Sequence, residues 1–175
     1  MRDAMIAGIT LNIFNNHCDR VKMANLAQCV NVLQAVILTK EEKILLTPTY
    51  HVMEMYNVHQ NAVMLPLALT SNDYSLGEKK LKAVSASASK DRTGAVHISL
   101  VNIDAHNEQE VTIDLGDLHA GTVSGRILHS GKLQDHNSFD YPEKIKPAVF
   151  SNASISGSTL TVKLPPFSVA VLSLK

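Results

Sequence analysis

The sequence predicts an α+β protein in which a helical first part is followed by an antiparallel, jelly-roll-like β-sandwich. Two observations carry this reading. Up to about residue 61 apolar side chains recur at intervals of three and four, and beyond it they alternate with polar ones. Gly94, Gly116, Gly121, Gly125, Gly131 and Gly157 then punctuate the second part, as turns between short strands do. The boundary falls in the stretch 66–77, where Ser71-Asn72-Asp73 and Gly77 cluster, giving parts at 1–65 and 66–175. At 175 residues with 45% hydrophobic content, the chain can bury a core.

Met5, Ile6, Ala7, Ile9, Ile13 and Phe14 put apolar groups nearly all round a first helix, which is therefore expected to be buried. Asn15-Asn16-His17 is its stop. Asp19 is placed to cap a second helix with an apolar face of Met23, Leu26, Ala27, Val30 and Leu33. Ala35-Val36-Ile37-Leu38 and Ile44-Leu45-Leu46 are short apolar runs on either side of a polar turn, Lys40-Glu41-Glu42-Lys43, and suit buried strands. Thr47-Pro48 starts a third helix: the threonine caps it, and proline fits the first position, where no N–H is needed. Val52, Met53, Tyr56 and His59 form its core face. Strands follow around Val84, Ala86 and Ala88; Val96, Ile98 and Leu100; Val111, Ile113 and Leu115; Leu160, Val162 and Leu164; and Ala170, Leu172 and Leu174.

Composition narrows the function. Sixteen basic and sixteen acidic side chains cancel, so neither nucleic acid nor an anionic membrane is an expected partner. No apolar run approaches the ~20 residues that cross a bilayer; the run 5–14 is broken by Gly8, Thr10 and Asn12. Asp3 directly after Arg2 speaks against a signal peptide, so localisation is left open. No phosphate or dinucleotide motif is present, and no cofactor is expected. Cys18 and Cys29 lack metal-ligand spacing; one disulfide is an alternative, and two buried free thiols are the expected reading. The six methionines lie mainly in the first part and suit helix packing.

The candidate chemical groups are weak. Glu41 and Glu42 read as a solvated turn, and Asp19 as a cap. His51 and Glu54 share a helix face, but with no second pair to complete a metal site they read as a surface ion pair or packing. His17-Cys18-Asp19 holds the residue types of a cysteine nucleophile site, yet neighbours in sequence do not face one another. Ser168 lacks a nucleophile elbow, and Asn152-Ala153-Ser154 is a glycosylation triplet of a kind that arises by chance. His97, His106, His119, His129 and His136 are scattered and read as satisfied or solvated. The chain therefore has no assigned catalytic residue and no metal ligand.

A more specific reading comes from motifs. They are Asn12-Ile13-Phe14-Asn15, Asp19-Arg20-Val21-Lys22-Met23-Ala24-Asn25-Leu26-Ala27-Gln28, Val30-Asn31-Val32-Leu33 and Thr47-Pro48-Thr49-Tyr50-His51. Downstream, Val101-Asn102, Asn137-Ser138-Phe139-Asp140 and Leu164-Pro165-Pro166-Phe167-Ser168-Val169 continue the series. In this order they resemble the C-terminal part of α-L-arabinofuranosidases of glycoside hydrolase family 51.

The resemblance implies a retaining enzyme that removes terminal α-L-arabinofuranosyl units, using an acid/base glutamate and a nucleophile glutamate. Both glutamates would lie upstream, on the strands of a (β/α)8 barrel. Residues 1–65 would be the helical remnant of that barrel's end, and 66–175 most of an appended sandwich, which in the family borrows one strand from the protein's N-terminus. The implied partner of the intact, bacterial parent is an arabinose-containing oligosaccharide or polysaccharide. Gln28 matches a family glutamine that hydrogen-bonds the sugar beside the scissile bond. A non-catalytic carbohydrate-binding or assembly module is the competing class, but the chain has no Trp, four Tyr and four Phe for stacking. Barrel helices short of their strands are expected either to self-associate, giving a homo-oligomer, or to pack on the sandwich.

Overall fold

The computed structural model describes every residue except Gln28 and His119, together with all side chains but that of Leu76. Helix α1 spans Arg2–Asn16. A hairpin of β1 (Ile37–Lys40) and β2 (Lys43–Leu46) leads into α2 (Pro48–Met55) and a 3-10 turn, Tyr56–His59. The rest is strands: β3 (Val63–Leu65), β4 (Asp73–Leu76), β5 (Lys79–Lys82), β6 (Val84–Lys90), β7 (Val96–Asn102), β8 (Gln109–Asp114), β9 (Val123–His129), β10 (Ala148–Val149), β11 (Ala153–Ser156), β12 (Thr159–Leu164) and β13 (Ser168–Leu174).

These strands form a β-sandwich. Its larger sheet runs β10-β9-β13-β7-β6-β3 and its smaller one β11-β12-β8, with all pairings antiparallel. Alternation along each strand sorts the side chains between two faces. On one face Val84, Ile98, Leu100 and Leu172 meet Val111, Leu160, Val162 and Leu164 of the smaller sheet. On the other, Val101, Leu128, Val169 and Val171 pack against Met5, Val52, Met55 and Tyr56 of the helical layer and against Ile145. Strands β6, β7 and β13 of the larger sheet are thus buried on both sides, and each large side chain so covered contributes about 1.5–3 kcal/mol. Strands β6, β7, β8, β12 and β13 fall where the alternating pattern places them. The Lys79–Lys82 hairpin with β4 occupies part of the stretch read as a boundary.

The start of α2 follows the sequence: the Thr47 side chain accepts from the Tyr50 N–H and Pro48 opens the helix. Helix α1 also ends as expected, at Asn16, but it meets the sheet through a different stripe. Its buried residues are Ala4, Met5, Gly8 and Asn12, while Ile6 and Ile13 are exposed. Small residues explain the choice of face. A Cβ on Gly8 would lie 2.9 Å from Val101 Cγ2, so only this stripe lets helix and sheet approach so closely.

The expected second helix is absent: described residues 19–36 contain no helical segment, and Asp19 is exposed without capping anything. Met23 is 73% and Leu33 94% exposed. A short helix depends on a surface to cover its apolar face, and Met23 and Leu33 meet no such cover among the described residues. Both cysteines are free, as expected, but Cys18 is half-buried and Cys29 exposed rather than buried.

Candidate functional site

Two features meet where the helical layer covers the sheet: a polar clasp and an uncovered flank. The clasp centres on Asn12, which is fully buried. Its Oδ1 faces three hydroxyls, at 3.0 Å from Tyr56, 2.9 Å from Ser87 and 2.7 Å from Ser99. Its Nδ2 donates to Ser85 Oγ at 3.2 Å. Asn15 donates to Ser87 Oγ, Asn16 to the Ala86 carbonyl, and the Tyr56 hydroxyl is also 3.2 Å from the Gly8 carbonyl. Burial pushes the Tyr56 hydroxyl pKa up, against the pull of its hydrogen bonds to Ser99 and Asn12, so the group stays protonated and able to donate.

This network ties α1 and the turn after α2 to one spot on strands β6 and β7. Those two elements bracket residues 17–55, which include the candidate sugar contact. Gln28 itself lies outside the described residues. The chain after it is anchored: the Val36 and Ile37 N–H groups both donate to the Cys29 carbonyl at 3.1 Å. Asn31, with φ of 53°, holds β1 through paired 2.7 Å bonds with Thr39, its Oδ1 accepting from the backbone and its Nδ2 donating to the hydroxyl.

Beside this segment a cleft is lined by Ile6, Leu11, Phe14, Leu26 and Met53. It is largely apolar, and among the described residues Asp3 is its one acidic lining residue, so no pair of acids converges there.

The other candidates have structural roles. Glu41 and Glu42 are exposed at the β1–β2 turn. Glu54 pairs with Arg126 at 2.7 Å, bridging α2 to β9, and burial of its neighbour His51 lowers that imidazole's pKa. Ser168 is buried and donates to the Pro165 carbonyl at 2.8 Å. His129 bonds the Pro166 carbonyl and His136 the Gln134 carbonyl. Asn152 is exposed, and its carbonyl accepts from Lys163 N–H. His119 lies outside the described residues. Among the described residues no three His, Cys, Asp or Glu side chains cluster as metal ligands.

Two polar groupings escaped the sequence reading. His97 links Asp91 Oδ2, at 3.0 Å, to Ser173 Oγ, at 2.9 Å. The residue types are those of a hydrolytic triad, but Ser173 sits mid-strand between two paired neighbours, so backbone N–H groups around it serve ladders and not an oxyanion. Hydrogen bonds from His97 and then Thr93 hold the Asp91 carboxyl well below the usual carboxylate range. The second grouping is the clasp. Its signal was present as the polar interruptions in α1 and the alternating serines Ser85, Ser87 and Ser89, which resemble a solvent face but lie under a helix.

Comparison with known proteins supplies the family. The profile of the family described as "Alpha-L-arabinofuranosidase C-terminal domain" matches residues 1–168. An intracellular exo-α-L-arabinofuranosidase from Bacteroides ovatus is 48% identical over all of this chain, which covers 34% of that protein. An intracellular exo-α-(1→5)-L-arabinofuranosidase from Bifidobacterium longum is 26% identical over 95% of the chain and 31% of its own length. Among solved structures, a GH51 arabinofuranosidase from Xanthomonas axonopodis pv. citri superposes with a TM-score of 0.96 at 40% identity, over 99% of this chain and 35% of that one. The chain therefore spans about a third of the length of these relatives. Given a profile that runs through both the helical layer and the sandwich, the chain belongs to the α-L-arabinofuranosidase C-terminal domain family.

Proposed function

We propose that this chain is the C-terminal part of a retaining α-L-arabinofuranosidase that removes terminal α-L-arabinofuranosyl units from plant oligosaccharides and polysaccharides. The observation that carries the reading is the family match over 1–168, on a chain that covers about a third of its relatives. Residues 1–65 are read as the last elements of a (β/α)8 barrel and 66–175 as the appended sandwich, with β3 crossing into the sandwich sheet at the seam. Two carboxyl groups about 5 Å apart are needed for retention. The apolar cleft offers no such pair, and the reading places both glutamates upstream, so the isolated chain does not turn over substrate.

Gln28 is the proposed sugar contact. A carboxamide both donates and accepts, which matches the two-way hydrogen bonding of sugar hydroxyls. The anchored Cys29 carbonyl and the Asn31–Thr39 pair fix the backbone that follows it, as a positioned contact requires.

The test joins this chain to the upstream two-thirds of the Bacteroides ovatus relative. The fused protein is expected to hydrolyse p-nitrophenyl α-L-arabinofuranoside, the chain alone is not, and Gln28→Ala in the fusion is expected to lower kcat/KM at least tenfold. Turnover by the chain alone that one Glu or Asp substitution abolishes would defeat the proposal, as would an inactive, folded fusion.

A further inference from the structure

The loop between β9 and β10, residues 130–147, connects two sandwich strands, yet it reaches across to the helical layer. Ile145 is buried there among Met5, Val52 and Leu128, and the Leu133 carbonyl accepts from the Arg2 N–H at 3.1 Å. Asn137, the first residue of the Asn137-Ser138-Phe139-Asp140 motif, is only 6% exposed in this loop. Its carboxamide is fully committed. Oδ1 accepts from the Ile145 N–H at 2.7 Å, while Nδ2 donates at 2.9 Å to both the Ile145 carbonyl and the Leu46 carbonyl. A buried side chain with both donors and its acceptor engaged is held in one orientation. Strand β2 therefore ends on a fixed point supplied by the sandwich.

From Leu46 the contacts run on without a gap. Register sets Leu46 opposite Ile37. The next residue, Thr47, donates its N–H to the Val36 carbonyl at 3.0 Å, and its hydroxyl lies 3.0 Å from the Ala35 carbonyl. Val36 and Ile37 in turn donate their N–H groups to the Cys29 carbonyl, both at 3.1 Å. Cys29 follows Gln28 directly in the chain. Leu45 and Ala35, which flank these contacts, are buried.

We infer that Asn137 is a positioning residue for the arabinofuranosyl site: it acts through Leu46, Thr47 and Val36 to fix the backbone at Cys29 and, through it, the carboxamide of Gln28. The inference rests on the proposed function for the role of Gln28, and goes beyond it by giving the sandwich a part in the sugar site. Asn137 itself touches no substrate. What it supplies is geometry, since misplacing a contact by about 1 Å can cost on the order of a hundredfold in rate. Residues 29–36 have no helix of their own to hold that geometry. The Asn31–Thr39 bonds hold the segment from its exposed side, and Asn137 holds it from the core.

Two experiments test this. In the chain alone, Asn137→Ala should quicken amide exchange at least tenfold at Val36, Ile37 and Thr47, with α1 and β7 unchanged. In the fusion with the upstream two-thirds of the Bacteroides ovatus relative, Asn137→Ala should lower kcat/KM at least fivefold. In a Gln28→Ala fusion the same substitution should change it less than twofold, because a residue that works through Gln28 has nothing left to position. A merely structural loss would be the same in both backgrounds. Thr47→Ala, one link along, should repeat this pattern, and it carries the test if Asn137→Ala does not fold. Lys144→Gln breaks the 2.7 Å pair with Asp135 in the same loop and should leave the kinetics unchanged. The inference alone is overturned by unaltered exchange at Val36, Ile37 and Thr47 in the folded variant, by equal losses with and without Gln28, or by a loss in Lys144→Gln as large as in Asn137→Ala. A folded, inactive fusion overturns the proposed function, and full activity in Gln28→Ala overturns the sugar contact; the inference falls with either.

Discussion

Replacing Asn12 by alanine tests whether the polar clasp holds the helical layer on the sandwich. The substitution removes the acceptor facing Tyr56, Ser87 and Ser99 and the donor to Ser85. Four bonds at about 1 kcal/mol each set an upper range near 4 kcal/mol. Two effects reduce it. Ser87 and Ser99 keep each other at 2.8 Å, and the Tyr56 hydroxyl keeps the Gly8 carbonyl. Alanine also gains about 0.5 kcal/mol in helix propensity over asparagine. The expected loss is therefore about 2–3 kcal/mol, read from urea unfolding with an unchanged slope. Asn12→Leu should cost at least as much, although leucine is more apolar, because it would bury the serine hydroxyls against hydrocarbon. A loss below about 0.5 kcal/mol for the alanine variant, or a gain for the leucine one, would refute the reasoning.

Three further outcomes follow from the same geometry. Gly8→Ala improves helix propensity by about 1 kcal/mol, yet its methyl group would sit 2.9 Å from Val101 Cγ2, so a net thermal destabilisation of about 1–2 kcal/mol is expected. His59 is held neutral, with its pKa lowered to about 4 by burial and then by His97. The unfolded chain binds more protons between that value and 6.5, so this contribution is complete above pH 6.5 and lost as pH falls toward 4. About 2 kcal/mol of it should be gone by pH 5, and His59→Gln should flatten that part of the stability profile. Glu54→Gln breaks only an exposed pair with Arg126, and less than about 1 kcal/mol is expected in the same unfolding assay.

The strands were legible in the sequence because one face of each was apolar and the alternation was unbroken, as in Val96, Ile98 and Leu100. The Thr47-Pro48 start was legible because capping is a local interaction. Residues 19–36 were misread because a spacing of three and four at Met23, Leu26, Val30 and Leu33 implies a helix only where another surface covers it. The buried stripe of α1 was missed for the opposite reason. Ala4, Gly8 and Asn12 are poor hydrophobic signals, but small and hydrogen-bonding side chains are what a close helix–sheet contact over serines selects. The clasp depends on pairing Asn12 with residues more than seventy positions away, a relation that periodicity does not encode.

The central claim is of a closed sandwich joined to a helical layer whose outer flank is unpaired. Amide hydrogen exchange on the chain alone addresses it directly. Amides of α1 and of β6, β7 and β13 should exchange slowly and together, while those of residues 22–27 exchange close to the free-peptide rate. Protection of residues 22–27 equal to that of α1, or loss of protection in α1 while the sheet keeps its own, would contradict the account.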